Sequence, residues 1–172
     1  MRRDPEREGL ELWEAGRLAE AEQKYREAFS LTVDGHWGRP HIRAGLASIL
    51  AAQGKAAEAL AEFETTLREE LALSSDDHSS PSVVVARYFL AEHLLLQGRP
   101  SEALAILAPS LGTEGDYSLR LVEARAYATG RDVERATGLL HVLLQRATSE
   151  EQRTDLEQQI QSLSEGRPSN AG

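Results

Sequence analysis

ASILAAQGKAAEALAEF (47–63) places Ala47 and Ala59 twelve positions apart with Gly54 between them, and apolar residues at helical spacing flank the glycine on both sides. This is the pattern of helix, tight turn, helix. The same spacing returns three times, as Gly9 to Ala21 around Gly16, Ala91 to Ala103 around Gly98, and Ala124 to Ala136 around Gly130. Four copies of one spacing indicate a repeat. A helix pair this short cannot bury both its apolar faces alone, so consecutive pairs must stack and share a core, which gives a solenoid. In the fourth pair the glycine stands one residue further from its alanine than in the others.

The residues around the spacing resemble the tetratricopeptide repeat family. Its A-x3-F element appears as Ala21-x3-Tyr25 with Ala28 and as Ala59-x3-Phe63. Ala103-x3-Leu107 and Ala136-x3-Leu140 keep the alanine and replace the aromatic with leucine, and the closing proline of the family is missing from all four pairs. The resemblance implies an all-α, right-handed superhelical solenoid of about four helix-turn-helix repeats, here at about 5–34, 40–73, 82–112 and 116–146. The physical sense of the pattern is independent of the name. A small residue on each helix lets two backbones approach, while Tyr25, Phe63, Leu107 and Leu140 fill the space against the next pair.

The anchors step by 38, 44 and 33 residues, against about 34 in an unmodified repeat of this family. The extra length falls between pairs, in TVDGHWGRP (32–40) and around SSDDHSSPS (74–82). Such connections lie on one edge of a solenoid and often contribute to binding.

Punctuation places the helices at about 5–15, 18–31, 40–53, 55–72, 82–97, 100–111, 116–129 and 132–146. Asp4-Pro5 and Ser80-Pro81 read as N-caps followed by proline, and Pro40 and Pro100 also stand just inside helix starts. Val83-Val84-Val85 runs straight into ARYFLAEHLLL without a turn signal, so it opens a helix rather than a strand. A ninth helix follows at 148–165. Thr148 and Glu151 form a capping-box pattern, and Leu156, Ile160 and Leu163 make one apolar stripe on an otherwise polar helix, as a cap over the last repeat requires. Residues 1–166 therefore read as a single domain, and 167–172 as a disordered tail.

At 172 residues with 41% hydrophobic and 5% aromatic residues, a core of alanine and leucine suits close helix packing better than a sheet. There is no cysteine, so disulfides and thiolate metal sites are excluded. No apolar stretch reaches the ~18–20 residues that cross a bilayer, and the two N-terminal arginines are not followed by the apolar region of a signal peptide. A cytoplasmic location without membrane insertion is expected. The net charge of −9 argues against a nucleic-acid footprint.

No phosphate-binding glycine loop, nucleophile elbow or H-E-x-x-H motif is present, and no set of titratable groups converges at a recognisable spacing, so the expectation is not an enzyme. His36 and His41 with Asp34, and Asp76 and Asp77 with His78, match no ligand pattern and read as turn and capping residues. His93 and His141 read as core-edge or surface residues of helices. Neither a metal nor a cofactor is expected.

The resemblance also implies a binding groove lined by the first helix of each pair. Carried over by the anchor spacing, those positions fall on Arg3, Glu6, Leu10, Trp13 and Glu14 in the first pair, and on His41, Ala44, Ser48, Ala51 and Ala52 in the second. They continue on Val85, Tyr88, Glu92, Leu95 and Leu96 in the third, and on Ser118, Leu121, Arg125, Ala128 and Thr129 in the fourth. Trp13, Leu10, Tyr88, Leu95 and Leu121 offer apolar contact, Ala44, Ser48 and Ala51 leave room in the middle, and Arg125 supplies a cation. Family members that clamp the acidic tails of chaperones use lysine, asparagine and arginine at these positions. Here Glu6, Leu10 and Glu92 stand in their place, which argues against that role.

A second surface is carried by residues 55–78, where Glu58, Glu62, Glu64, Glu69, Glu70, Asp76 and Asp77 outweigh Lys55 and Arg68 and hold more than half of the net charge. Such a run is more often a solvated face than a docking site. The expected function is a non-enzymatic protein-interaction module or adaptor that holds a partner segment in the groove, as a monomer or weak homodimer. The alternative is a structural subunit or self-associating scaffold, in which another chain would cover Trp37 and the exposed ends.

Overall fold

The computed structural model describes residues 4–113 and 115–166. The expected tail at 167–172 and Arg3 of the expected groove lie outside them. Among the described residues every regular element is helical: α1 (Pro5–Glu14), α2 (Leu18–Leu31), α3 (Arg39–Ala52), α4 (Ala56–Leu73), α5 (Pro81–Leu96), α6 (Pro100–Leu107), α7 (Tyr117–Thr129), α8 (Val133–Arg146) and α9 (Glu150–Ser164). The chain divides into two compact units, with the boundary between His93 and Leu94 inside α5.

In the first unit α1 packs on α2, α2 on α3 and α3 on α4. Ala21, Ala47, Ala59 and Ala91 are fully buried, so each anchor alanine of this unit lies in the core, as the spacing requires. Polar links join the first helix pair to the second. The Gln53 amide donates to the Leu18 carbonyl at 3.0 Å, and Lys55 meets Glu22 at 2.7 Å. The Lys55 hydrogen bond, helped against burial by Arg26 and Gln53, holds the Glu22 carboxyl down at about 2 instead of 4.5. Arg43 adds contacts within and between the pairs. It reaches from α3 to Glu62 (2.6 Å) and Glu69 (3.0 Å) on α4, and with Arg39 it lies over the Phe29 ring.

The second unit packs α6 on α7, α7 on α8 and α8 on α9. Leu156 is fully buried against Ala124, Leu140, Leu143 and Ala147, with Ile160 and Leu163 beside it, so the apolar stripe of α9 closes this core. The cap differs from expectation by one residue. Ser149, not Thr148, accepts from the helix, at the Gln152 amide (3.2 Å), and the Gln152 side chain, not Glu151, reaches back to the Thr148 amide (3.0 Å). α6 is also shorter than expected. Pro109 lacks the N–H that would continue the helix, so the chain passes into a single 3-10 turn at Ala108–Ser110. The following loop is tied down by buried Asp116, which accepts from the Gly112 amide (2.7 Å) and pairs with Arg120 and Arg146. Burial works to raise the Asp116 carboxyl, and these partners overcome it, holding it below its ordinary value.

The four turns within pairs share one hydrogen-bond pattern, that of a Schellman cap. The amide after the left-handed residue bonds five residues back, as Arg17 to Leu12, Lys55 to Leu50, Arg99 to Leu94 and Asp132 to Tyr127. Gly16, Gly54 and Gly98 hold the left-handed position with φ between 69° and 78°. In the fourth turn Gly130 sits at φ −75°, and Arg131 takes the left-handed place with φ 65°. That accounts for the displaced glycine in the sequence: the conformation follows the count back from Ala136, and the glycine falls one residue early.

Two outcomes are expected. Arg131→Gly removes the side-chain penalty of the left-handed region, worth about 1 kcal/mol, and raises the melting temperature by about 2–4 °C, whereas Gly54→Arg lowers it comparably. For Glu22, a carboxyl depressed in the folded state stabilises above its ordinary range, and the contribution fades as pH falls from about 4.5 toward about 2. Glu22→Gln should therefore cost about 1 kcal/mol at neutral pH and flatten the acid limb of stability in that window, as read from denaturant midpoints.

Candidate functional site

Three first helices of the pairs present matching faces within the first unit. Glu6, Leu10 and Trp13 follow one another along α1 at helical spacing, as do His41, Ala44 and Ser48 along α3, and Ser82, Val85 and Phe89 along α5. Together they wall a cavity of about 860 Å³. Its floor comes from the second helices, as the rings of Tyr25 on α2 and Phe63 on α4, both buried.

Glycine fixes the position of the first ring. A Cβ on Gly9 of α1 would stand 2.6 Å from the Tyr25 ring, and one on Gly45 of α3 would stand 2.2 Å from it. The ring therefore lies between two helix backbones and cannot swing away from one without meeting the other. Phe63 lies parallel to Phe89 at 6.4 Å and is backed by His93 at 5.4 Å, whose Nε2 lies 3.0 Å from the Ala56 carbonyl.

The walls are apolar and open. Leu10 is 45% exposed, Val85 53% and Phe89 40%, which places three of the exposed large hydrophobic side chains around one cavity. Charge collects at the rim. Asp4, Glu6, Glu70 and the cation Arg7 line the cavity, and His41 meets Glu6 at 3.3 Å across α1 and α3. Burial raises the Tyr25 hydroxyl above its ordinary range, and the negative charge of Glu6 adds to that. A second groove of about 590 Å³ shares Asp4, Glu6 and His41 with the first and runs past Leu31 and Trp37. Trp37, 79% exposed, stacks on His36.

Of the groove positions expected from sequence, Leu10, Trp13, His41 and Ser48 line the cavity, together with Glu6, Ala44 and Val85. Glu14, Tyr88 and Glu92 do not line it. The cavity meets α5 about one turn nearer its N-terminus than the anchor spacing suggests, so Phe89 faces it while Tyr88 packs edge-on against Phe89 at 5.3 Å. Leu95, Leu121 and Arg125 belong to the second unit. Leu121 packs on the core under α9, and Arg125 borders a small cleft with Gln159 and Leu163. Reasoning from sequence missed Gly45 and Phe89. A glycine in the middle of a helix costs about 1 kcal/mol, and that cost was the available signal for a close contact at Gly45.

The histidine and aspartate groups find other uses. His36 Nδ1 accepts from the Gly38 amide, Asp34 pairs with Arg39, Asp77 caps Ser79, and His78 meets Arg87 at 2.9 Å. Among the described residues no cluster of three or more potential ligands could hold a metal, and no helix is long and apolar enough to cross a membrane.

Gly45→Ala should cost about 1–3 kcal/mol through overpacking on Tyr25, although helix propensity alone would favour it; Tyr25→Leu in the same chain should recover part of the loss. Gly138→Ala on α8, where a Cβ meets nothing within 4 Å, should stabilise by up to about 1 kcal/mol in the same thermal melts.

The tetratricopeptide repeat family model matches residues 40–65 and 84–109. No curated protein matches the chain. Among solved structures, the chain is similar to nearly identical TPR-like repeats of kinesin light chain type from Podosopora anserina, with a TM-score of 0.78 at 17% identity over 94% of this chain and 84% of that one. A single-substitution variant of those repeats gives 0.79 at 17% identity, covering 96% and 88%. The chain thus matches the tetratricopeptide repeat family by sequence over those two stretches, and beyond them it shares the fold of TPR-like repeats.

Proposed function

We propose that the first unit is a protein-interaction module that holds a segment of a partner protein in the cavity between α1, α3 and α5, and that the chain acts as a non-enzymatic adaptor. The observation that carries this is the grouping of Leu10, Val85 and Phe89, each between 40% and 53% exposed, around an 860 Å³ cavity with an aromatic floor. Exposed apolar side chains gathered in one concavity mark a recognition surface, and aromatic anchors supply most of the energy at such surfaces. The cavity is broad enough for the side chains of a helix or an extended strand, the usual ways in which a peptide docks.

A second reading, a subunit that associates through its edge, is favoured by Trp37 and Leu31, which remain largely exposed along the neighbouring groove.

The test is affinity capture from cell extract with the intact protein and two variants of unchanged helical circular dichroism. Val85→Ser with Phe89→Ser should lose the proteins that the parent retains by ten-fold or more, since two apolar anchors each contribute about 1 kcal/mol or more. Retention by that variant, with loss on Trp37→Ser instead, would transfer the function to the edge.

A further inference from the structure

We infer that the occupant of this cavity is a basic, apolar segment, one in which lysine or arginine flanks large hydrophobic side chains, rather than an acidic tail. The inference rests on the groove reading above and adds the chemistry of the partner.

The hydrogen-bonding groups of the cavity are unequally committed. Among its donors, the Ser48 hydroxyl is engaged with the Ala44 carbonyl at 3.0 Å and the Thr66 hydroxyl with the Glu62 carbonyl at 2.9 Å, each on its own helix. Arg7, which also lines the space, donates to Glu11 at 3.3 Å along α1, His41 is engaged with Glu6, and the Trp13 indole N–H and Tyr25 hydroxyl border the same cavity. The carboxylates outnumber the cation. Glu70 lies half-buried in the cavity wall, and its carboxylate makes no hydrogen bond or ion pair with any described residue. Asp4 uses one oxygen to cap the Glu6 amide at 3.1 Å. The field of these groups reaches the floor, since Glu6 contributes to raising the Tyr25 hydroxyl.

A carboxylate entering this space would meet the like charges of Asp4, Glu6 and Glu70 against the exposed cation of Arg7. An ammonium or guanidinium would meet acceptors, while Leu10, Val85 and Phe89 take the apolar part of the same segment. The apolar wall and the acceptor-rich rim thus select one class of partner together: the wall sets the need for hydrophobic anchors, and the rim sets the sign of the flanking charge.

The probe is a phage-displayed library of random twelve-residue peptides, panned on the full chain and counter-selected on Val85→Ser with Phe89→Ser. Peptides that bind the parent and not the variant should be enriched in lysine or arginine beside leucine, phenylalanine or tryptophan. A synthetic peptide of the enriched sequence should bind about five-fold or more weakly to Glu6→Gln with Glu70→Gln and lose part of its salt dependence. Glu58→Gln with Glu64→Gln, on the exposed face of α4, should leave its affinity unchanged, which separates the cavity from the general negative charge of the chain. Enrichment of acidic or uncharged peptides, or an affinity indifferent to Glu6 and Glu70, would overturn the inference and leave the groove standing. Failure to recover any peptide sensitive to Val85 and Phe89 would overturn both.

Discussion

The first unit depends on one contact, the Tyr25 ring held between the backbones of α1 and α3 at Gly9 and Gly45. Two interior glycines weaken their helices, and nothing local offsets that cost. What they permit is an approach close enough for one ring to serve both helices and still present an edge to the cavity. The ring sets the spacing of α1 and α3, and that spacing sets the width of the space above it. Phe63 plays the corresponding part against α5 by stacking, with no glycine needed, because Phe89 and His93 are flat partners. The cavity is therefore a consequence of packing between consecutive pairs rather than a feature added to it.

Much of this was legible in the sequence. The twelve-residue interval predicted which alanines are buried, the glycines predicted three of the four left-handed turns, and the isolated stripe of Leu156, Ile160 and Leu163 predicted which face of α9 is covered. Local chemistry controls those features, so local patterns reveal them. The departures arise where distant residues decide. Which face of α5 meets the cavity depends on where α5 lies against α4, and the 44-residue step between anchors hides that by a turn of helix. The fourth turn shows the same limit in reverse. Its hydrogen bonds dictate a left-handed residue at a fixed count from Ala136, and Arg131 accepts the strain because the cap bonds around it hold the turn.

Charge followed the same division. The acidic run on α4 looked like a uniform surface, yet Glu62 and Glu69 turn toward α3 and share Arg43, whereas Glu58 and Glu64 remain exposed and Glu70 faces the cavity. One helix thus spreads its carboxylates over three environments, a distribution that its composition does not reveal and its periodicity shows only once the neighbouring helices are placed. In the second unit Asp116 concentrates the comparable role in one buried group that joins a loop to α7 and α8.

The two tryptophans of the chain stand in opposite surroundings: Trp13 is half-buried in the cavity wall, and Trp37 lies almost wholly in solvent. An indole emits further to the blue as water leaves it, so the protein carries an internal optical pair. Light from Trp13 reports what lies against α1, and light from Trp37 reports the state of the neighbouring edge. The intrinsic fluorescence of the unlabelled molecule therefore carries one signal from the cavity wall and another from the solvent-exposed edge.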